Sequence, residues 1–134
     1  MKSKRFKYYQ PNKLDLKDKY GDCTIRAISK VFDLSWQDTF ILCEPIIKKY
    51  QLLPNYFFFA GQENQVVEML GLIRYKVSNK KGSKRPTVQS FAATHPNGTY
   101  LLKVAHHVVA VVDGYYYDTW DCGNKCLYGY YEKK

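Results

Sequence analysis

His107-Val108-Val109-Ala110-Val111-Val112-Asp113-Gly114-Tyr115-Tyr116-Tyr117-Asp118 sets two runs of β-branched and aromatic residues on either side of an Asp-Gly pair. Asp-Gly in that setting predicts a two-residue type I′ turn, because both central residues take positive φ there and the turn matches the twist of the strands. The turn fixes the register by pairing Val112 with Tyr115. Counting outward, Val109 stands opposite Asp118 and His107 opposite Trp120, so these four side chains leave one face of the hairpin. His107 and Asp118 become diagonal neighbours about 7 Å apart, a gap that an imidazole and a carboxylate can close. Trp120 is placed to shield the pair from water. A slip by one residue would bring Thr119 and Asp121 to the His107 face, which makes Asp121 the reserve partner.

A second stretch, Tyr20-Gly21-Asp22-Cys23-Thr24-Ile25-Arg26-Ala27-Ile28, predicts a loop turning into a helix. Asp22 is a natural N-cap, and Ile25, Ile28, Val31 and Phe32 form the core face of a helix from Cys23 to about Phe32. Cys23 therefore sits on the first turn. A helix N-terminus carries roughly half a positive charge and unpaired N–H groups, which favour a thiolate and offer donors to an oxyanion. One Cys early and one His-to-Asp hairpin late is the chain order of a papain-like cysteine hydrolase. Taken singly, Cys23 reads as a small packing residue and His107 as a structural histidine. Taken together, with the hairpin parity right, Cys23, His107 and Asp118 read as nucleophile, base and orienting carboxylate. Arg26 reads as one half of a structural salt bridge beside that site.

The remaining elements follow from periodicity and punctuation. Residues 1–19 are polar, charged and Pro-containing, and predict a basic, irregular arm. Ser35 with Asp38 forms a capping signal for a helix through Trp36, Phe40 and Cys43, with Pro45 set to kink or end it. Leu53-Pro54-Asn55-Tyr56-Phe57-Phe58-Phe59 reads as an apolar loop, followed by a short helix from Gln62 to Leu70 and a strand from Ile73 to Val77. The run from Ser78 to Pro86 is a charged loop. Thr87 caps a helix reaching about Thr94, His95-Pro96-Asn97-Gly98 turns the chain, and Thr99 to Ala105 is a strand. A last strand near Leu127 to Tyr131 closes the sheet. The fold class is α+β: N-terminal helices, the nucleophile helix among them, packed on a C-terminal antiparallel sheet. At 134 residues the chain is one domain by length, long enough to bury a core.

These residues resemble a family. Gly21-Asp22-Cys23-Thr24-Ile25-Arg26-Ala27, Ser35-Trp36, Leu53-Pro54-Asn55, His95-Pro96-Asn97-Gly98-Thr99-Tyr100, and His107 to Gly114 followed by Tyr117-Asp118-Thr119-Trp120-Asp121 look like small papain-like proteins found in phages and bacterial mobile elements. Their layout is similar to that of bacteriocin-processing peptidases. The resemblance covers the chain from about Tyr20 onward. It implies a Cys-His-Asp site at Cys23, His107 and Asp118 without giving a substrate; the residues themselves suggest acyl transfer through a Cys23 thioester, with a peptide or related amide bond as the expected target. Two positions depart from the pattern. Papain-like enzymes place a Gln or similar amide before the nucleophile as an oxyanion donor, whereas Lys17-Asp18-Lys19-Tyr20-Gly21-Asp22 holds neither Gln nor Asn. His106 stands where a small residue such as Gly is expected, and it should point away from Cys23 if His107 points toward it.

Composition limits the alternatives. With 46% hydrophobic residues and 13 tyrosines the chain reads as globular. The segment Met1 to Lys7 lacks the apolar stretch of a signal peptide, and no run is long enough to span a membrane. A reducing cytoplasm is the expected compartment, a host's if the gene is a phage's. Cys23 and Cys43 stand alone, and Cys122 and Cys126 have three residues between them; this is not the paired spacing of a zinc site, so neither metal nor cofactor is expected. Cys43 reads as a buried small hydrophobe, and Cys122 and Cys126 as ordinary turn or strand residues. The net charge of +9 suits an acidic peptide or protein partner. The rival is a catalytically inactive, basic binding module that engages a host protein or nucleic acid. Its lysines fall in residues 2–19 and 76–85 rather than on one face, and no nucleic-acid motif is present.

Overall fold

The Asp-Gly turn forms as predicted: Asp113 and Gly114 take φ of 50° and 84°, and Val112 pairs with Tyr115, Val111 with Tyr116 and Ala110 with Tyr117. A computed structural model describes residues 4–12, 23–49, 63–77 and 84–134, apart from the side chains of Ile47 and Glu63. The elements in chain order are β1 (Phe6–Tyr8), α1 (Cys23–Phe32), α2 (Trp36–Lys49), α3 (Glu63–Leu70), β2 (Ile73–Lys76), α4 (Val88–Thr94), β3 (Thr99–Val104), β4 (His107–Val112), β5 (Tyr115–Asp118) and β6 (Gly129–Glu132). Asp22, the predicted cap of α1, lies outside the described residues, as do the 17–22 and 53–59 stretches.

The protein is α+β, built on a six-stranded sheet in the order β1-β5-β4-β3-β6-β2. The sheet differs from a purely C-terminal antiparallel one in three ways. First, Phe6–Tyr8 is not part of an irregular arm but a parallel edge strand beside β5, with Phe6 opposite Tyr116 and Tyr8 opposite Asp118. Its alternation is too short to register in sequence; side chains hold it, the Phe6 ring 5.7 Å from that of Tyr116 and the Lys7 ammonium 5.0 Å from the Tyr115 ring. Second, β2 joins the sheet at the far edge. Third, β6 does not close the sheet but runs between β3 and β2, antiparallel to both.

Apolar residues cover both sheet faces. Ile25, Ile28 and Val31 of α1, with Cys43, Ile46 and Val66 from α2 and α3, pack on Leu101, Val108, Ala110 and Tyr131. Val88 and Phe91 of α4, with Cys122 and Leu127, pack on Leu102, Val109, Val111 and Tyr116. Strand alternation explains the split, since Val108 and Ala110 point to one side and Val109 and Val111 to the other.

The helix ends are satisfied locally. After α1, Asp33 takes φ 54° and the Leu34 amide donates to the Ser29 carbonyl at 2.9 Å, the six-to-one bond that commonly terminates a helix. Ser35 accepts from the Asp38 amide at 3.0 Å, as its sequence position predicts. Thr87 and Ser90 form a reciprocal capping box at α4. Pro45 does not end α2, which continues to Lys49. Pro45 and Ile41 are both exposed, so the carbonyl that loses its donor faces water.

Candidate active site at the end of the sheet

β4 begins with His107 and β5 ends with Asp118, so the two side chains meet where the hairpin's open end finishes. His107 Nε2 lies 2.5 Å from Asp118 Oδ2. The diagonal contact expected from the turn is therefore present. The imidazole also hydrogen bonds with the Cys23 side chain at the start of α1. Cys23 and His107 are 4% and 8% exposed and Asp118 is 1% exposed, so the three predicted residues form one buried cluster.

Asp118 is held from several sides. Arg26 Nη2, one turn along α1 from Cys23, reaches Oδ1 at 3.0 Å, and the Thr119 amide donates to the same oxygen at 2.8 Å. Cys122, from the core beneath the opposite face, donates its thiol to the carboxylate. The Tyr9 amide, just past β1, donates to the Asp118 carbonyl at 2.8 Å and fixes the backbone. Arg26 is thus the structural partner its sequence position suggests. Cys122 is a contact that sequence did not disclose, because a Cys four residues after an Asp has no periodic or motif meaning. Its placement depends on α4, whose first amides donate to the Lys125 and Gly123 carbonyls at 2.9 Å each and anchor the 122–127 loop.

The protonation states follow from these contacts. Burial pushes the His107 imidazole down, but the hydrogen bonds and negative charge supplied by Asp118 and Cys23 outweigh it and carry the ring from its ordinary 6.5 up to about 9. Burial also pushes the Asp118 carboxyl up, and here His107, Arg26 and the Thr119 amide outweigh it and hold the group below its ordinary range. Cys122 moves the other way: burial and the adjacent Asp118 charge push its thiol up, so it stays a neutral donor. Cys43, buried in the α1 core, is pushed up to about 12 by burial.

Around this centre, Trp120 lies with its ring 5.1 Å from the His107 ring and is 43% exposed, so it shields one side of the imidazole from the rim. Asp121, the reserve partner, is engaged elsewhere, accepting from the Tyr116 hydroxyl and from the Gly123 amide at 2.9 Å. A side chain on Gly123 would collide with that tyrosine hydroxyl. His106 is not a strand residue: Val104 pairs with His107, leaving Ala105 and His106 as a two-residue turn with His106 exposed at φ 54°. That backbone explains why a glycine is the residue expected there.

His107, Asp118 and Cys122 bring three potential ligand atoms within 4.8 Å of one another. Those atoms are already bonded to each other, and the Arg26 guanidinium occupies the same carboxylate, so the group has the character of a hydrogen-bonded cluster. All four cysteines are free. Among the described residues no helix is long and apolar enough to cross a membrane. Compared with family models, with curated proteins and with solved structures, the chain matches none.

Proposed function

We propose that the protein is a papain-like thiol hydrolase or acyltransferase acting on a peptide or related amide, with Cys23 as nucleophile, His107 as acid and base, and Asp118 as the group that orients the imidazole. The observation that carries this reading is the single buried cluster in which the Cys23 side chain meets His107 and His107 Nε2 meets Asp118. Cys23 attacks the substrate carbonyl, forming a C–S bond and a tetrahedral oxyanion next to the positive, N-terminal end of α1. The imidazolium gives its proton to the departing amine as the C–N bond breaks, leaving a thioester. Water, deprotonated by the imidazole, then attacks the thioester and returns the sulfur. Trp120 offers an apolar wall at the solvent side of the ring, and the +9 charge favours acidic protein substrates in a reducing cytoplasm.

The test is iodoacetamide labelling against pH, read by mass spectrometry at each cysteine, in the wild type and in His107→Ala. The reading requires Cys23 to alkylate faster than exposed Cys126 at about pH 6.5, with the advantage lost in His107→Ala. Cys23 reacting no faster than Cys126, and indifferent to His107, removes the basis for a hydrolase.

A second reading, a basic binding module, draws on the far edge of the sheet. Lys76 and Lys103 both stand beside Gly129 across three adjacent strands, and with Arg74 and Tyr128 they line a cavity of about 70 Å³. Salt-sensitive binding of RNA or of an acidic peptide that survives Cys23→Ala would favour it.

A further inference from the structure

Cys122 takes no part in the proposed hydrolysis. It is fully buried and donates to Asp118, a contact that a hydroxyl would make better, since a thiol is a weak donor. Its sulfur, a ring nitrogen of His107 and a carboxylate oxygen of Asp118 all lie within 4.8 Å of one another. Sulfur, imidazole nitrogen and carboxylate oxygen together are the donor set of zinc-class ions, whereas calcium and magnesium take oxygen.

Size decides whether one ion fits among them. Zinc bonds of about 2.0–2.3 Å at tetrahedral angles hold neighbouring ligand atoms about 3.3–3.6 Å apart. The present separations bracket that value: His107 and Asp118 approach to 2.5 Å, and no pair of the three atoms exceeds 4.8 Å. Side-chain shifts on the order of 1 Å separate the two arrangements.

The surroundings already hold these groups as an outer shell holds metal ligands. Arg26 Nη2 and the Thr119 amide both bond to Asp118 Oδ1, at 3.0 and 2.8 Å, while Oδ2 is turned to the imidazole. The Lys125 amide donates to the Cys122 carbonyl at 3.0 Å and steadies the loop that carries the thiol. The guanidinium works against any cation held by charge alone, and so favours a softer ion bonded through sulfur. The way in passes His107, the most exposed of the three at 8%, beside the Trp120 ring.

We propose that His107, Asp118 and Cys122 form a binding site for a zinc-class divalent ion, and that the bound ion silences Cys23 by ligating the imidazole that Cys23 needs. Cys122 ligates as a thiolate, His107 through a ring nitrogen and Asp118 through a carboxylate oxygen, with water in the fourth position. The protons carried by the thiol and the ligating nitrogen leave to solvent, and nothing is oxidised or reduced. The silencing, though not the binding, rests on the reading of Cys23 and His107 as a reactive pair.

The experiment uses Co2+, whose absorption reports thiolate ligation, added to the chelator-treated full chain carrying C23A, so that the reacting sulfur is absent. Each variant is checked for native folding by circular dichroism. C23A is expected to give a thiolate-to-cobalt band that Zn2+ abolishes by displacement. C23A/C126S should keep the band, and C23A/C122S should lose it and bind at least about 100-fold more weakly. If C23A/C122S does not fold, C23A/H107A supplies the comparison, with the same loss of affinity. No band in C23A, or a band and affinity unchanged in the folded ligand variants, overturns the site. Silencing is read separately, as Zn2+ slowing Cys23 alkylation in the wild type about tenfold or more. Zn2+ that displaces Co2+ yet leaves Cys23 as fast as before overturns the silencing alone. Metal-free Cys23 no faster than Cys126 removes the hydrolase reading and the silencing with it, while the cobalt band in C23A still decides the site.

Discussion

His107 and Asp118 share a buried hydrogen bond of 2.5 Å across the open end of one hairpin, and their two titrations define a window of maximal stability. The imidazole is raised from 6.5 to about 9, so its contribution is fully present below about pH 6.5 and is lost as pH rises through 9. The carboxyl is lowered from 3.8, so its contribution is present above about pH 4 and is lost as pH falls through its depressed value. Urea midpoints should therefore be highest between about pH 4 and 6.5. From there to pH 10 stability should decline by up to about 3 kcal/mol. His107→Ala should flatten the alkaline limb; a steep decline persisting in that variant would locate the titration elsewhere.

Asp118→Ala leaves the Arg26 guanidinium buried with its carboxylate partner gone, and takes the acceptor from His107 and Cys122. Breaking a buried pair from one side costs about 3–5 kcal/mol. Equilibrium unfolding should show a loss of that size, accompanied by loss of selective Cys23 labelling. A loss under about 1 kcal/mol would mean the pair is far more solvated than its burial indicates.

Thr24, next to Cys23, has a fully buried hydroxyl without a hydrogen-bond partner among the described residues. Leaving such a group unsatisfied costs about 1–3 kcal/mol. Thr24→Val keeps the shape and removes the orphan, so thermal unfolding should move upward by an amount equivalent to about 1 kcal/mol. A destabilised Thr24→Val with slower Cys23 alkylation would instead assign the hydroxyl a part in the site.

His106 holds a left-handed backbone in the turn that delivers His107. A side chain pays roughly 1–2 kcal/mol for that region, and glycine's extra unfolded-state freedom returns part of it. His106→Gly is expected to stabilise by about 0.5–1 kcal/mol and to leave Cys23 labelling unchanged, since the side chain is exposed. A drop in labelling would show that the His106 imidazole takes part after all.

What could be read from sequence was local. Asp113-Gly114 determines its own turn, so the turn sets the register that brings His107 and Asp118 together, and strand parity needs nothing further. The Ile25, Ile28 and Val31 spacing marks the buried face of α1 in the same way, and Thr87 and Ser35 mark their helix starts. What stayed hidden depends on partners distant in sequence. Phe6-Lys7-Tyr8 is too short to show a period, and becomes a strand because Tyr116 and Asp118 supply an edge. The insertion of β6 between β3 and β2 is settled by which faces must be covered, not by any property of Gly129–Glu132 alone. Cys122 meets Asp118 because α4 anchors the loop that carries it, a relation between three segments that no spacing records.

Arg26 and Asp118 are 92 residues apart in sequence, with α1 well before β5. A ribosome delivers the N-terminal segment first, so α1 emerges with its cysteine and arginine well before any strand that can engage them. Until the β4–β5 hairpin is made, neither His107 nor Asp118 is in place beside Cys23 and Arg26. On the proposed reading, the cluster cannot form in a nascent polypeptide until the β4–β5 hairpin has joined α1, so selective Cys23 labelling is expected only once that hairpin has folded.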